Sequence, residues 1–204
     1  ELGIDPRAAR NKPEIRYEPG SIDQVVTACD YVLSLSGSTY QSGGTIVELR
    51  RDDTGKDVRA DVATHAELTM AIAASCSFLG YSRRDKEWRP CDPPERVIRT
   101  LAGASRYKHL RRLNGIARQP FYRPNDGSLV VASGYDEQSG IYGAFEGEQV
   151  VLGAPTLEDA EAALCNLEAL VREFRFETEN DKAAALSAMM TATVRPSLRH
   201  APAF

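Results

Sequence analysis

Glycine-containing turns divide this sequence into short segments, and this feature restricts the fold most strongly. Ser42-Gly43-Gly44, Asn125-Asp126-Gly127 and Ser139-Gly140 each lie between two short runs rich in β-branched or aromatic residues. A turn of this kind is typical of an antiparallel hairpin, because glycine adopts backbone angles that tight turns require. Ser42-Gly43-Gly44 could also be a phosphate-binding loop, but the Lys-Ser/Thr pair of such a loop does not follow it.

Amphipathic stretches between the turns predict helices. In a capping box, two side chains three residues apart satisfy the first amide groups of a helix. Pairs with that spacing precede three of the apolar stretches: Ser21/Gln24, Thr64/Glu67 and Thr156/Asp159. Pro93 and Pro94 also favour a helix start, since proline is well tolerated in the first turn. We therefore expect helices over 22–36, 65–80, 95–102, 157–174 and 180–194.

These elements together predict an α+β fold with two small subdomains, in which amphipathic helices pack on short antiparallel sheets. An extended lead-in (1–20) precedes an N-terminal α+β subdomain (21–92), whose end we place in the polar, proline-broken stretch YSRRDKEWRPCDPP. A basic helix with β-hairpins (93–155) forms the second subdomain, in an arrangement similar to a winged helix. An acidic helix and an Ala- and Met-rich helix (156–204) follow.

The composition argues against several classes of protein. A hydrophobic content of 42% and an aromatic content of 7% are ordinary for a globular protein. No window approaches the roughly eighteen apolar residues of a membrane span, and the first residues lack the apolar core of a secretory signal. The 4 cysteines and 3 histidines have neither CxxC nor zinc-ligand spacing. We expect buried, reduced thiols, no metal site, no membrane contact and a cytoplasmic location.

Catalytic motifs are missing from the sequence. It contains no nucleophile elbow, no metalloprotease motif and no complete phosphate-binding loop, so we do not expect this chain to be an enzyme by itself. Asp52, Asp53 and Asp57 are carboxylates that a metal-dependent nuclease or primase could use. The segment DDTGKD is more typical of a polar turn, which makes this hypothesis the weakest.

Charge is distributed unevenly along the chain. Residues 95–123 contain eight Lys or Arg and one acid, whereas residues 136–181 contain twelve acids and two arginines. The net charge of −4 therefore says little about partners, because a basic block precedes an acidic one.

The basic block predicts contact with nucleic-acid phosphates, which arginine binds with several donors at once. If residues 105–113 are helical, Lys108, Arg111 and Arg112 share one face. Interleaved aromatic residues are typical of a single-strand stacking site. The candidate binding residues are Arg99, Arg106, Lys108, Arg111, Arg112, Arg118, Arg123, Tyr107, Phe121 and Tyr122. Two alternatives stay open: the cations pair with the chain's own acidic helix, or they form an ordinary solvated face.

The order of several segments adds a resemblance to a known group of proteins. These segments are KPEIRYEPGSIDQVVTACDYVL, TYQSGGTIVELRR, PPERVIRTL, LNGIARQPFYRPNDGSLVVASGYDEQSGIY and FRFETENDKAAALSAMMTATVRPSLRHAPAF. In this order they resemble the region just ahead of the ATPase core in replicative helicase-like proteins (primase/helicase, ATPase) of phages and integrative elements. The resemblance covers most of residues 13–204. It implies an accessory region without its ATPase module, so ATP and magnesium would belong to that module alone. In the segment FYRPNDGS an aromatic pair stands where the resemblance leads us to expect small residues.

Two functions of different classes follow. The chain is expected to engage DNA, single-stranded or forked, as a non-catalytic accessory domain of a mobile-element helicase, with Arg123 on a hairpin assisting the basic block. The alternative is an oligomerisation or partner-docking module without DNA binding, in which the acidic helix of a neighbouring copy covers the basic block.

Overall fold

The computed structural model describes residues 12–53, 55, 57–145 and 154–198. The fold is α+β, as the sequence predicts. Contacts within the chain divide it into two units, between Leu113 and Asn114. None of the helices in the described ranges is long and apolar enough to cross a lipid bilayer.

The first unit combines three-stranded sheets with helices. Its described elements are, in chain order, β1 (Glu14–Tyr17), α1 (Ile22–Ser34), β2 (Thr39–Ser42), β3 (Thr45–Arg51), β4 (Val58–Val62), α2 (His65–Ser75), β5 (Ser77–Ser82), β6 (Glu87–Pro90) and α3 (Glu95–Ala102). Strands β2, β3 and β4 form an antiparallel sheet in that order. The second sheet has the order β1-β5-β6, with β1 parallel to β5 and β6 antiparallel to it.

One hydrophobic core holds the three helices of this unit together. Four of its side chains are fully buried: Cys29 and Leu33 of α1, Ile72 of α2 and Leu101 of α3. Phe78 of β5 belongs to the same core and packs from the sheet side. Burial raises the pKa of the Cys29 thiol to about 12, so the thiol is protonated at neutral pH. All four cysteines are free thiols; Cys29 and Cys76 are buried, whereas Cys91 and Cys165 are exposed, in contrast to the buried thiols expected from the sequence.

The predicted hairpin and the second capping box are confirmed. Gly43 and Gly44 join β2 to β3 with φ angles of +57° and +83°, values that glycine adopts without strain. The Thr64 hydroxyl accepts from the Glu67 amide, and the Glu67 carboxylate accepts from the Thr64 amide. A hydrogen bond from Arg50 of β3 and those from Thr64 hold the pKa of Glu67 at about 2. This ion pair ties the start of α2 to the sheet.

Three local predictions for the first unit were wrong. Helix α2 ends at Ser75 and not at Gly80, because residues 77–82 pair with β1 and β6 as a strand. The polar stretch after it is accordingly a β-hairpin and not a boundary. Ser21 makes no capping bond to α1, because its hydroxyl donates to the Glu18 carbonyl at 2.8 Å.

The division between the units also lies later than the expected position near Asp92. Helix α3 belongs to the first unit because Val97, Ile98 and Leu101 are buried in the core shared with α1 and α2. Residues 105–113 follow α3 in the same unit. The basic residues predicted for one subdomain therefore fall into both units.

The second unit contains short strands followed by two helices. Its described elements are β7 (Gly115–Ala117), β8 (Phe121–Tyr122), β9 (Leu129–Val130), β10 (Gly134–Asp136), β11 (Ile141–Gly143), α4 (Leu157–Leu170), α5 (Glu179–Val194) and a 3-10 turn (Arg195–Ser197). The hairpins predicted at Asp126-Gly127 and Ser139-Gly140 are the pairs β8-β9 and β10-β11. The capping box of Thr156 and Asp159 is also confirmed. The resemblance of this region to a winged helix stays a prediction.

Candidate nucleic-acid interface

The segment of residues 105–113, hereafter the basic loop, presents the cations that the sequence analysis singled out. The helix considered for this segment does not form, and the loop is irregular apart from one bridge between Arg112 and Gln41. Two side chains from distant parts of the first unit instead hold its backbone. These are Asp30 of α1 and Gln41 of β2.

Asp30 is the main anchor of the basic loop. It is only 3% exposed, and its carboxylate accepts three consecutive backbone amides. Lys108 and His109 donate to Oδ2 at 2.7 and 2.8 Å, and Leu110 donates to Oδ1 at 3.0 Å. Hydrogen bonds to a charged acceptor are stronger than those between neutral groups, so this carboxylate fixes the conformation of the loop.

Gln41 holds the same loop through its carbonyl groups. Its side-chain Nε2 donates to the carbonyls of Tyr107 at 3.1 Å and Leu110 at 2.5 Å. Its backbone amide donates to the Arg111 carbonyl, and its carbonyl accepts from the Leu113 amide, both at 2.8 Å. Backbone amides and backbone carbonyls of the basic loop are therefore both hydrogen-bonded to residues outside the loop.

The side chains of the basic loop separate into an inner and an outer set. Tyr107, Leu110 and Leu113 are buried, and the Tyr107 hydroxyl donates to the Leu101 carbonyl at 3.0 Å. The outer set is exposed and consists of Arg106, Lys108, Arg111 and Arg112. Because the inner residues are buried in the first unit, the outer cations project from a fixed backbone.

Tyr107 requires a correction. It was predicted to stack on bases, but it is 8% exposed and lies in the hydrophobic core. Burial, with the nearby Asp30 charge, raises the pKa of its hydroxyl. Arg99 lies outside the basic loop, on α3, where its guanidinium pairs with Glu95 at 2.5 Å. Both groups of that pair are exposed, so it does not prevent Arg99 from meeting an external anion.

In the second unit, the aromatic pair Phe121 and Tyr122 has divided roles. Phe121 is 2% exposed and packs with Ala117 and Ile141, so its predicted stacking role is corrected to core packing. Tyr122 is 48% exposed, while its backbone amide donates to the Ser197 hydroxyl. Tyr122 is thus the one of the three candidate aromatic residues with an exposed ring.

Arg123 has a structural role, in contrast to the predicted phosphate contact. Its guanidinium donates to both carboxylate oxygens of Asp136, at 2.7 to 3.1 Å, and to the Ser128 hydroxyl. Asp136 also accepts from the amide and hydroxyl of Ser139 at 2.9 and 2.5 Å. This network links the β8-β9 turn to the β10-β11 turn.

The Asp136 network predicts loss of stability in acid. Hydrogen bonds from Arg123 and Ser139 lower the pKa of Asp136 from 3.8 to about 2. A carboxyl whose pKa is lower in the folded state stabilises the fold fully above its unfolded pKa, and this stabilisation is lost as pH falls through the folded pKa. Protection of the Ser139 and Ile141 amides, measured as the exchange rate relative to that of an unstructured peptide at the same pH, should therefore fall between about pH 4 and pH 2. Asp136→Asn should show low protection at every pH in this range. The exposed control Glu161→Gln should follow the wild type. Equal protection profiles for the wild type and Asp136→Asn would contradict the assignment.

A cleft of about 890 Å³ also lies in the second unit. Arg118 and Arg195 line it, and none of its described lining residues is acidic. Its walls are joined by hydrogen bonds from Asn114 Nδ2 to the Ser139 carbonyl and from Gln119 Nε2 to the Thr193 carbonyl. The exposed guanidinium of Arg118 is therefore placed in a cleft whose lining suits an anionic group.

Within the described ranges, no three His, Cys, Asp or Glu side chains lie close enough to hold a metal ion. Asp52 and Asp57 close a turn, in which Asp52 Oδ1 accepts from the Asp57 amide at 3.0 Å. Comparisons with protein-family models, curated proteins and solved structures return no match for this chain.

Sequence reasoning missed Asp30 and Gln41, the two residues that shape the interface. Asp30 carries a signal in retrospect, because it is a carboxylate beside Cys29 in an otherwise apolar stretch of α1. A buried carboxylate must find donors, and here the donors are 78 to 80 residues away. Gln41 carries no such signal, since glutamine is ordinary in an edge strand.

Proposed function

We propose that this chain is a DNA-engaging accessory domain of a mobile-element replicative helicase or ATPase, without catalytic activity of its own. The basic loop would contact the phosphate backbone. The single observation that supports this most is the anchoring of the loop by Asp30, which holds its backbone while leaving its cations outside. The parent class is taken from the order of sequence segments described above.

Anchoring matters because binding costs conformational freedom. A flexible basic segment would have to be ordered on the nucleic acid, and that ordering subtracts from affinity. In the basic loop the backbone is already bonded to Asp30 and Gln41, so mainly the long side chains of Arg106, Lys108, Arg111 and Arg112 would lose freedom. Contacts of this type position a protein on DNA without reading base sequence, and we expect little sequence preference.

The expected result with DNA is a steep dependence on salt. If the four outer cations of the basic loop each neutralise one phosphate of a single strand, the slope of log affinity against log salt is about −2.8. Affinity should then fall roughly 50-fold between about 50 and 200 mM salt. Fluorescence anisotropy of labelled single-stranded, forked and duplex DNA measures this. Absence of binding at the lower salt concentration would contradict the proposal.

A second function has its own supporting observation. Helix α4 has no buried residue, and Leu157, Leu170 and Phe174 just beyond it are 69 to 77% exposed beside several acids. Such a helix suits an oligomerisation or partner-docking module. Analytical ultracentrifugation in the absence of DNA tests the oligomerisation form of this function, which requires a dimer or larger assembly that is sensitive to salt. A monomer at high protein concentration would contradict that form.

A further inference from the structure

The outer face of the β1-β5-β6 sheet carries a group of aromatic and cationic side chains outside the basic loop. Side chains alternate between the two faces of a strand. Ile15 and Phe78 point into the helical core, so their neighbours Arg16 and Leu79 lie on the other face. The strand register places Tyr81 and Trp88 there too, because Tyr81 follows Leu79 by two residues and pairs directly with Trp88.

The aromatic pair on this face is partly open to solvent. The rings of Tyr81 and Trp88 lie 5.5 Å apart, edge to face at 64°. The Arg16 guanidinium lies 5.5 Å from the centre of the Trp88 ring, a distance at which a cation is attracted to the ring face. Tyr81 is 48% exposed, and the side chain of Arg16 is 62% exposed.

Cations adjoin this pair at the hairpin turn. Tyr81 and Trp88 are one residue pair away from the turn between β5 and β6, which carries exposed Arg83, Arg84 and Lys86. Asp85 in the same turn is already engaged, because it pairs with Arg89 at 3.3 Å and accepts from the Ser82 hydroxyl at 2.7 Å. Two exposed acids lie nearby: Glu87 follows the turn, and the Glu14 carboxylate lies 3.9 Å from the Arg16 guanidinium. The exposed charges of the turn itself are mainly positive, and those on β1 are mixed.

We propose that this face is a single-strand stacking surface, on which bases pack against Tyr81 and Trp88 while Arg16, Arg83 and Arg84 contact phosphates. Exposed rings beside cations are the combination that binds single-stranded nucleic acid, since every base offers a π-face and every nucleotide a negative charge. The inference rests on the proposed function for the class of ligand. It adds a second DNA contact to that of the basic loop. It also specifies single-stranded DNA as the ligand, because bases inside a duplex cannot stack on side chains.

A purely structural role for the pair makes a different prediction. Cross-strand aromatic pairs stabilise hairpins without any ligand. In that case Tyr81→Ala would lower stability but leave DNA affinity unchanged. Tyr81→Phe keeps the ring and should behave as the wild type in both respects.

Trp88 is the single tryptophan of the chain, so its fluorescence reports on this face alone. An oligothymidine longer than the roughly 4–16 nucleotides that a small domain engages is titrated against the protein, with anisotropy of a label recorded in parallel. We expect quenching of Trp88 that follows the anisotropy. Tyr81→Ala should weaken single-strand binding roughly 5- to 150-fold, which is the range for loss of one stacked base, and leave duplex binding unchanged. Phe174→Ala is the matched control, because it removes another exposed aromatic ring in the second unit.

The outcomes separate this inference from the proposed function. One outcome is quenching of Trp88 and weaker single-strand binding by Tyr81→Ala, with no effect of charge reversal in the basic loop. That outcome would support the stacking surface and contradict the DNA contact proposed for the basic loop. DNA binding without quenching of Trp88, and with unchanged affinity for Tyr81→Ala, would overturn the stacking surface and leave the contact at the basic loop in place. Absence of binding would overturn both. A change in Trp88 emission that follows protein concentration without DNA would assign the face to a second copy and also overturn the inference.

Discussion

Replacing Asp30 with alanine is expected to destabilise the first unit by about 3 kcal/mol or more, since hydrogen bonds to a charged group contribute about 1.5–3 kcal/mol each. The carboxylate is 3% exposed and accepts the amides of Lys108, His109 and Leu110. Its removal leaves those donors without their acceptor. Asp30→Asn should fail as well, because its NH₂ group would face an amide donor in place of one oxygen.

Urea unfolding followed by Trp88 fluorescence measures this effect, because Trp88 lies in the same unit as Asp30. With a slope of about 1–3 kcal/mol per molar urea, the midpoint should fall by about 1 M or more. Asp23→Asn is the control, since Asp23 is an exposed acid on the same helix and should cost no more than about 1 kcal/mol through its place in the first turn. An unchanged midpoint for Asp30→Ala would contradict the anchoring of the basic loop.

Reversing two charges of the basic loop is expected to weaken DNA binding at least about tenfold at low salt, because phosphate contacts are lost and repulsion is added. The variant is Arg106→Glu with Lys108→Glu, whose side chains are exposed while the loop backbone is held by other residues. The fold should be kept, and circular dichroism with the urea midpoint checks this.

A matched control reverses the same number of charges elsewhere in the first unit. Arg51→Glu with Arg59→Glu changes exposed arginines of β3 and β4, and β4 lies at the edge of its sheet opposite β2. Because Gln41 joins the basic loop to β2, this control acts away from the loop. The affinity of this control for DNA should stay within about threefold of the wild type, because no cation of the basic loop is changed. Arg59→Glu also removes the exposed Arg59–Asp61 ion pair, so the urea midpoint is checked for this variant too. Equal losses in the two variants would mean that net charge, and not the loop, governs binding.

Elements with local signals could be predicted from the sequence. The Gly43-Gly44 turn and the capping boxes at Thr64 and Thr156 depend on residues within a few positions of one another, and all three are present. Helix α3 follows its proline pair for the same reason. The Ser21/Gln24 pair is the exception, because the Ser21 hydroxyl donates to Glu18 and caps no amide of α1.

Elements fixed by distant partners could not be predicted in the same way. Residues 77–82 form a short apolar run that suits a helix or a strand, and pairing with β1, some sixty residues earlier, decides for the strand. The basic loop shows the same effect, because Asp30 and Gln41 bind backbone groups that a helix would have used internally. Arg123 was predicted to bind phosphate because the sequence does not show that Asp136 lies beside its guanidinium in the fold.

The sequence therefore predicted which cations the candidate site contains, but not the conformation of the loop that carries them. Arg106, Lys108, Arg111 and Arg112 are exposed in one loop, as a phosphate-binding role requires. The stacking roles predicted for Tyr107 and Phe121 were wrong because both rings are buried, and burial depends on tertiary packing that the local sequence does not show. Tyr81, which is exposed, and its half-buried partner Trp88 lie in a stretch that was predicted to be a boundary.

The measurement that tests the proposed DNA contact most directly is the salt dependence of single-strand binding for the wild type and for Arg106→Glu with Lys108→Glu, side by side. Each phosphate contact of a single strand contributes about 0.7 to the slope of log affinity against log salt, so the variant should lose about 1.4 or more of the wild-type slope. That loss would place phosphates at the basic loop. A variant slope equal to that of the wild type, at any affinity, would contradict it.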